Sequence, residues 1–471
     1  MENIVRYRLI ASLAASCLAL PACSPGPDYV RPTVETPSTF KAAGEWKLAA
    51  SSDVPVSEQW WLAFDDATLT ELEARVEIDN QNLKAAQAQY QAARAAADSA
   101  RAAFLPSLSL SAARNRGAGT AGQPVATGYS LSAALNWEID VWGRIRRSVE
   151  AADARSTASE ADLAAARLSA QALLAQDYIQ LRATERQLAL LQRTADAYQR
   201  FLDLTRNRLA AGVASPLDVA QAETQLGSAQ VQASEAENQR AQFEHAIAVL
   251  VGVAPAAFSL GENAQLPAPP ATPRLLPSTL LEHRPDIAAA ERRAAAASAE
   301  IGVADAAYFP VLDLAGSIGF RSGTLANLVS LPNRVWSLGP TLAMTLFDGG
   351  VRSAAVLQAS AGYDQAVATY RQTVLTAFQE VEDNLTAARL LEGESEIQER
   401  TLAAARRSRE IAENQYRAGI NGALNVITAQ ATELSAEVNA IAIASRRLQA
   451  HVQLLKNTGG FQAGGQNERN R

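Results

Sequence analysis

From Arg144 to Ala211 the chain contains neither proline nor glycine, and nothing else in the sequence restricts the fold as tightly. Leu174, Leu181, Leu188, Ala195, Leu202 and Leu209 recur within it every seven residues, which is the period of a coiled-coil seam. At ~1.5 Å per residue, such a helix would be about 100 Å long. It must turn at "AAGVASPLD", where Gly212 can close the helix and Pro216 can open a return helix reaching about Leu250. The composition agrees: aromatic residues are only 6% of the chain while alanine is abundant, which favours long helices meeting at thin interfaces over a bulky globular core.

The same plan occurs twice. "NRLAAGVASPLDVAQAE" from Asn207 aligns with "NQYRAGINGALNVITAQ" from Asn414, pairing Gly212 with Gly419, Leu217 with Leu424, Asp218 with Asn425 and Val219 with Val426 at a constant separation of 207 residues. Upstream, "NLKAAQAQYQAARAAADSARAAFLP" from Asn82 aligns with "DIAAAERRAAAASAEIGVADAAYFP" from Asp286 at a separation of 204. Gly143 pairs with Gly350, again at 207, so an insertion lies between the prolines and these glycines. A repeat this long is a duplicated structural unit, not a solenoid turn. The first unit covers residues 57–259, opening with a short amphipathic helix over 57–80 and continuing with helices at about 82–104, 144–211 and 216–250. A Pro-rich linker, 260–278, leads to the second unit, 279–458, with helices at about 286–308, 351–418 and 424–456; Gly362 and Gly393 are expected to interrupt the middle one. The tail, 459–471, reads as disordered.

Between the first and second helix of each unit the period changes from about 3.6 to 2. Leu108, Leu110 and Ala112 alternate with Ser107, Ser109 and Ser111, and Tyr129, Leu131, Ala133, Leu135 and Trp137 alternate with Ser130, Ser132, Ala134 and Asn136. The second unit repeats this with Leu312, Leu314, Ile318 and Phe320, then with Trp336, Leu338, Leu342, Met344 and Leu346. The hairpins therefore fall at about 107–137 and 311–347. Strands of about ten residues, apolar on one face and ending in aromatics, fit a membrane β-barrel, although a half-buried soluble sheet gives the same alternation. Four strands cannot close a barrel, and an open edge in lipid leaves backbone groups unsatisfied. The chain must then oligomerise: two copies give eight strands with a filled interior, three give twelve with room for a lumen. Small residues such as Ser107, Ser109, Ser130 and Ser132 favour the lumen.

The amino terminus adds a location. Arg6 and Arg8 precede the apolar run "LIASLAASCLAL", too short to span a bilayer, and small residues follow it, which is the layout of a secretory signal peptide over 1–22. "LPAC" resembles the lipobox of bacterial lipoproteins, making Cys23 the lipidated first residue of the mature chain, with an extended linker over 23–56. An incidental cysteine beside an ordinary cleavage site is the alternative, and Cys17 lies inside the apolar run. With Cys23 acylated no thiol remains for redox, metal or nucleophilic chemistry, and a formal net charge of -7 argues against nucleic acid as a partner. His245, His283 and His451 stand isolated from any second ligand at metal spacing. The aspartates of "IDVWG" and "TLFDGG" mark strand-to-helix passages, where an acid caps a helix. No cofactor, metal or enzymatic activity is expected.

The order helix, β-hairpin, long helix, tight turn, helix, given twice, together with the lipobox, "HRPDI" at 283–287, "VWGR" at 142–145 and "LFDGG" at 346–350, resembles the outer membrane factor family of TolC-like proteins, in its lipoprotein branch of efflux channels. The resemblance covers essentially residues 57–458. It implies a mainly α protein with four β-strands per chain, whose homotrimer completes a twelve-stranded outer membrane barrel and an α-helical barrel. Anchored by Cys23 in outer membrane lipid and extending into the periplasm, the trimer would meet a periplasmic adaptor protein and an inner-membrane RND-type transporter. The function implied is a passive exit duct of a tripartite pump for small toxic compounds or drugs. Type I protein secretion or metal-ion efflux is the alternative, and a structural envelope lipoprotein without a lumen a more distant one.

Within that family the helical turns close the entrance and meet the adaptor. The resemblance assigns Arg417 and Gly419, with Arg208 and Gly212 in the first unit, to adaptor contact, and Leu424 with Thr428 to the pore constriction. Many relatives carry an aspartate and an arginine where this chain has Thr428 and Ala431, which puts an acidic ring with an ion-pair lock in doubt here. Three copies of Leu424 could still dewet a constriction; an ordinary coiled-coil contact remains the alternative.

Overall fold

The computed structural model describes residues 25–34, 59–118, 125–270 and 284–458. Cys23, Cys17, His283, the signal sequence and the tail lie outside them. A 3-10 turn, Trp60–Phe64, precedes helices α1 (Ala67–Asp79) and α2 (Gln81–Ala102), strands β1 (Ser107–Gly117) and β2 (Ala126–Glu138), and the long helices α3 (Arg144–Ala210) and α4 (Pro216–Leu250). The second half repeats the order with α5 (Pro285–Ala306), β3 (Val311–Ser322), β4 (Arg334–Ala343), α6 (Val351–Arg417) and α7 (Ala423–Asn457).

Three boundaries differ from the sequence reading. The segment 57–80 is not one helix, because Asp66 is extended and starts α1 afresh, accepting from the Leu69 amide at 2.9 Å. The second hairpin stops at Ala343, short of 347: its last partner is Val311, and Pro310 before it has no N–H to extend the ladder. Gly362 and Gly393 do not interrupt α6, which is one helix from Val351 to Arg417. Each glycine costs about 1 kcal/mol relative to alanine, which a helix of 67 residues absorbs.

The chain divides into two compact units that cut across the duplication. One gathers the residues up to Thr33 with 88–161 and 288–372; the other gathers 34–87, 162–287 and the residues from 373 onward. Each takes matching pieces from both repeats, so the compact units do not coincide with the repeats.

The first unit holds the sheet, in the order β1-β2-β3-β4, antiparallel throughout. Register segregates the faces. Leu110, Ala133, Ile318 and Trp336 line up across the four strands on one face, and Ser111, Ser132, Gly319 and Val335 form the adjoining row on the other. Hydroxyls tie the small-residue face together, Ser111 to Ser132 at 3.0 Å and Ser317 to Ser337 at 2.8 Å. The apolar face is uncovered: Leu110, Trp336 and Leu338 are exposed in the single chain. Below the strands, the Trp137 and Trp142 indoles donate to the carbonyls of Phe104 (2.9 Å) and Pro310 (2.7 Å), and Trp142 stacks on Phe309.

Residues 25–33 run as a strap in the same unit. A Cβ on Gly26 would lie 2.5 Å from the Cα of Gly302 in α5, so the two backbones cross in contact. Beside the crossing, buried Arg147 donates to Asp28 at 2.9 Å and Glu150 at 2.8 Å, and Tyr29 donates to Glu291 at 2.7 Å.

In the second unit the principal core collects Trp60, Trp61, Phe64, Leu69, Leu72 and Val76 against Leu174, Tyr178, Leu181, Ile247 and Val452. Its polar joints are specific. Tyr178 donates to Asp66 at 2.8 Å, and buried Asn80 both donates to the Leu250 carbonyl at 2.8 Å and accepts from the Leu83 amide, capping α2. Arg284 joins Asp286 and Glu380 at the start of α5. His451 is buried and held neutral, its pKa lowered to about 4 by burial and by neighbouring Arg447; His245 is exposed.

Glu73 of α1 is a buried acid without such a joint. It is fully buried and neither carboxylate oxygen has a hydrogen-bond partner among the described residues. Burial, reinforced by Glu77, raises its pKa from 4.5 to about 9. Between those two values the unfolded chain ionises Glu73 while the folded chain keeps it protonated, so the folded state binds the extra proton and stability falls as pH rises. Glu73→Gln is expected to flatten this slope and raise the thermal midpoint at mildly alkaline pH, read by circular-dichroism melts across the window. A variant with the wild-type slope would remove Glu73 as its source.

Candidate functional site

The two inter-helical turns lie in the second unit, and they end their helices in the same way. The Gly212 amide donates to the Leu209 carbonyl at 2.9 Å and the Val213 amide to Arg208 at 2.9 Å; in the second turn Gly419 donates to Tyr416 at 3.0 Å and Ile420 to Gln415 at 2.9 Å. Both are Schellman closures, which need a left-handed residue at the turn, and Gly212 and Gly419 supply it at φ 75° and 76°.

Re-entry differs. Helix α4 begins with a capping box: the Ser215 hydroxyl accepts from the Asp218 amide, the Asp218 carboxylate accepts from the Ser215 amide, and Pro216 sets the first turn. Helix α7 begins at Gly422 with no side-chain cap. The repeat partner of Asp218 is Asn425, so the second turn lacks both halves of the box.

Behind the turns, Tyr198, Phe201, Leu202, Ala222 and Leu226 of the first hairpin pack with Ala412, Tyr416, Ala423 and Val426 of the second. Arg208 belongs to this cluster. Its guanidinium lies 4.5 Å from the Tyr416 ring centroid and donates to the Tyr416 carbonyl at 2.9 Å, while Tyr416 in turn meets Phe201 at 5.4 Å. Arg417 points outward, 64% exposed in its side chain and 3.5 Å from Glu413. The repeat register explains the difference: Arg208 aligns with Gln415 and Arg417 with Ala210, so the two arginines are not equivalent positions.

Leu424 and Thr428 lie one turn apart on α7 and both are exposed in the single chain. Thr428 donates to the Leu424 carbonyl at 2.9 Å and Thr432 to that of Thr428 at 2.8 Å. The hydroxyls are thus turned back onto the helix, and with Ala431 they leave an uncharged stripe. Leu217, the repeat partner of Leu424, is exposed as well.

Charge is concentrated instead between α6 and α7. Arg406 meets Glu437 at 2.5 Å, Arg409 meets Glu413 at 3.1 Å and also Glu433, and buried Gln430 donates to Glu413 at 3.1 Å. The sequence reading missed this ladder, although the spacing of Arg406, Arg409 and Glu413 against Glu433 and Glu437 gives its signal. Among the described residues no cluster of three or more His, Cys, Asp or Glu side chains is arranged to hold a metal.

A duplicated pair of long antiparallel helices, each repeat carrying an amphipathic β-hairpin, defines a duct-forming protein of the bacterial outer membrane. The chain belongs to the outer membrane efflux protein family, whose model matches residues 74–253 and 276–460. It is 32% identical to outer membrane protein OprJ of Pseudomonas aeruginosa over 458 residues, covering 94% of each chain. It is 31% identical to the toluene efflux pump outer membrane protein TtgC of Pseudomonas putida over 466 residues, 96% of this chain and 95% of that one. Among solved structures, the outer-membrane channel OprN superposes with a TM-score of 0.87 at 31% identity, over 93% of this chain and 99% of the other.

Arg208→Ala removes a cation–π contact and a hydrogen bond that join the two hairpin ends, together worth about 1–3 kcal/mol. Limited proteolysis of the solubilised protein at the Gly419 turn is expected to accelerate by roughly tenfold, and Arg417→Ala to leave it near the wild-type rate. Equal effects from the two variants would contradict the packing described for Arg208.

Proposed function

We propose that three copies of the chain form a passive exit duct for small toxic molecules across the outer membrane and periplasm, working with a periplasmic adaptor and an inner-membrane RND-type transporter. The observation that carries this reading is the sheet: one apolar face, one face of small hydroxylated and other small residues, and two unpaired edges. A sheet of that kind is stable in lipid only when closed, and twelve strands leave a lumen lined by the small residues where eight would fill it. The long helical hairpins of the same chains form the α-helical part of the duct. An acyl anchor on Cys23, next to the strap at residues 25–33, holds each chain to the inner leaflet.

The mechanism is permissive conduction. The duct supplies no energy, and its lining of serine, glycine and alanine discriminates little among solutes. The turns are the adaptor-facing end, with Arg417 and Gly419 exposed for contact and Arg208 and Gly212 shaping the tip. Three Leu424 side chains, with Thr428 one turn further along, form an uncharged apolar constriction that closes by expelling water. Likeness to a toluene efflux protein over nearly the whole chain favours small molecules over secreted proteins as cargo.

Deleting the protein is expected to raise accumulation of a fluorescent cationic dye in cells, with reversal on complementation. Unchanged accumulation with the trimer present would turn the reading toward metal-ion or protein export. Leu424→Ser is expected to leave the trimer intact and to raise single-channel conductance severalfold in planar bilayers, and a wild-type conductance would take Leu424 out of the constriction.

A further inference from the structure

The β-hairpins have a charge pattern that the duct reading does not use. From Ser107 to Trp137, and again from Leu314 to Phe347, there is no aspartate or glutamate, although the whole chain carries a net charge of -7. Each segment contains two arginines: Arg114 and Arg116 in the first, Arg321 and Arg334 in the second. The acids nearest them, Glu138, Asp140, Asp313 and Asp348, all sit at the helical ends of the strands, and the ordered arginines there are paired: Arg144 with Glu138 and Arg352 with Asp348, both at 2.6 Å.

Register assigns the arginines to faces. Arg114 pairs with Tyr129 and Arg116 with Thr127, in the same alternating set as Leu108, Leu110 and Leu131. Arg334 pairs with Phe320, which pairs in turn with Leu131. Three arginines therefore lie on the apolar face, all at the end of the sheet remote from the helices, while Arg321 faces the other way, beside Ser130. All four are exposed; Arg114 rests against the Tyr129 ring at 5.8 Å, and the only acids in the two hairpins' strands, Glu138 and Asp313, lie at the opposite end of the sheet from all three.

The two edge strands carry all three. When copies join edge to edge, β4 of one meets β1 of the next, which sets Arg334 across each seam from Arg114 and Arg116. An arginine on the lipid-facing side costs about 2–4 kcal/mol at mid-bilayer and almost nothing at the interface. Three guanidiniums at one end, on the face that meets lipid and with no ion-pair partner among the described residues, are free to take an anion from outside the protein. Their planar forks match phosphate oxygens in pairs.

We propose that Arg114, Arg116 and Arg334 form, at each subunit seam, a binding site for the phosphate monoesters of a phosphorylated outer-leaflet glycolipid. This site rests on the reading of the sheet as a membrane barrel closed by copies of the chain. The Tyr129 ring beside Arg114 adds an interfacial aromatic of the kind that borders barrel bilayer zones.

The test uses the full-length detergent-solubilised trimer in native mass spectrometry, titrated with phosphorylated lipid A, with its dephosphorylated form, and with lipid A in the presence of millimolar inorganic phosphate. Each sample is also checked for conductance in planar bilayers. The wild type is expected to hold up to three lipid A molecules and to bind the dephosphorylated form at least tenfold more weakly, with inorganic phosphate displacing little. The variant Arg114→Gln, Arg116→Gln, Arg334→Gln is expected to lose that preference, and Arg321→Gln, on the opposite face, to keep it. A conducting wild type that binds both lipids equally, or that responds to inorganic phosphate alone, overturns the lipid site and leaves the duct. A preference lost equally in Arg321→Gln overturns the face assignment on which the site depends. A wild type that neither assembles nor conducts overturns the barrel, and the site with it.

Discussion

An antiparallel sheet whose two edge strands have no partner among the described residues of their own chain sets the terms for the rest of this structure. β1 and β4 each present a row of backbone N–H and C=O groups, and each such group left bare in hydrocarbon costs several kcal/mol. Soluble proteins blunt such edges with charges, prolines or short strands. Here the edge strands are 11 and 10 residues long and free of acids, with Pro340 as their one proline, so the exposed edges serve as joining surfaces. Closure by copies then fixes how many helices surround the axis, because every hairpin feeds two long helices.

The duplication supplies two hairpins of the same length, with 67-residue and 35-residue helices in each, so the paired turns can end at a common level. It does not supply identical hairpins. Their helix ends close alike, but one re-entry is held by Ser215, Pro216 and Asp218 and the other by backbone alone. The ion pairs differ as well: α6 and α7 are laced near the turn by Arg406 and Arg409, whereas Arg206 with Glu223 is the corresponding contact between α3 and α4. The two hairpins are thus equal in length and unequal in bonding.

Much of this architecture is legible in the sequence because its elements are long and strongly periodic. A seven-residue repeat without proline or glycine gives α3, and strict alternation gives the strands and which residues share a face. The failures are local or long-range. Gly362 and Gly393 are tolerated because a long helix dilutes a fixed cost, and Met344 and Leu346 keep the strand pattern after the pairing partner has run out. Contacts such as Tyr29 to Glu291, 262 residues apart, leave no local trace. For the turns, sequence reasoning finds Gly212 and Gly419 but treats Arg208 and Arg417 as equivalents. The repeat register already sets them apart, pairing Arg208 with Gln415 and Arg417 with Ala210, and the packing of Arg208 on Tyr416 gives the difference its structure. The compact units also escape the sequence, since each repeat is shared between them.

The crossing of Gly26 over Gly302 carries a consequence for anyone handling the protein. Because neither backbone leaves room for a Cβ, and Arg147 and Tyr29 fasten the strap on either side, the strip 25–33 behaves as part of the folded body and not as a leash. A reporter, epitope or spacer spliced into that strip would have to displace packed backbone, the Arg147–Asp28 ion pair and the Tyr29–Glu291 hydrogen bond.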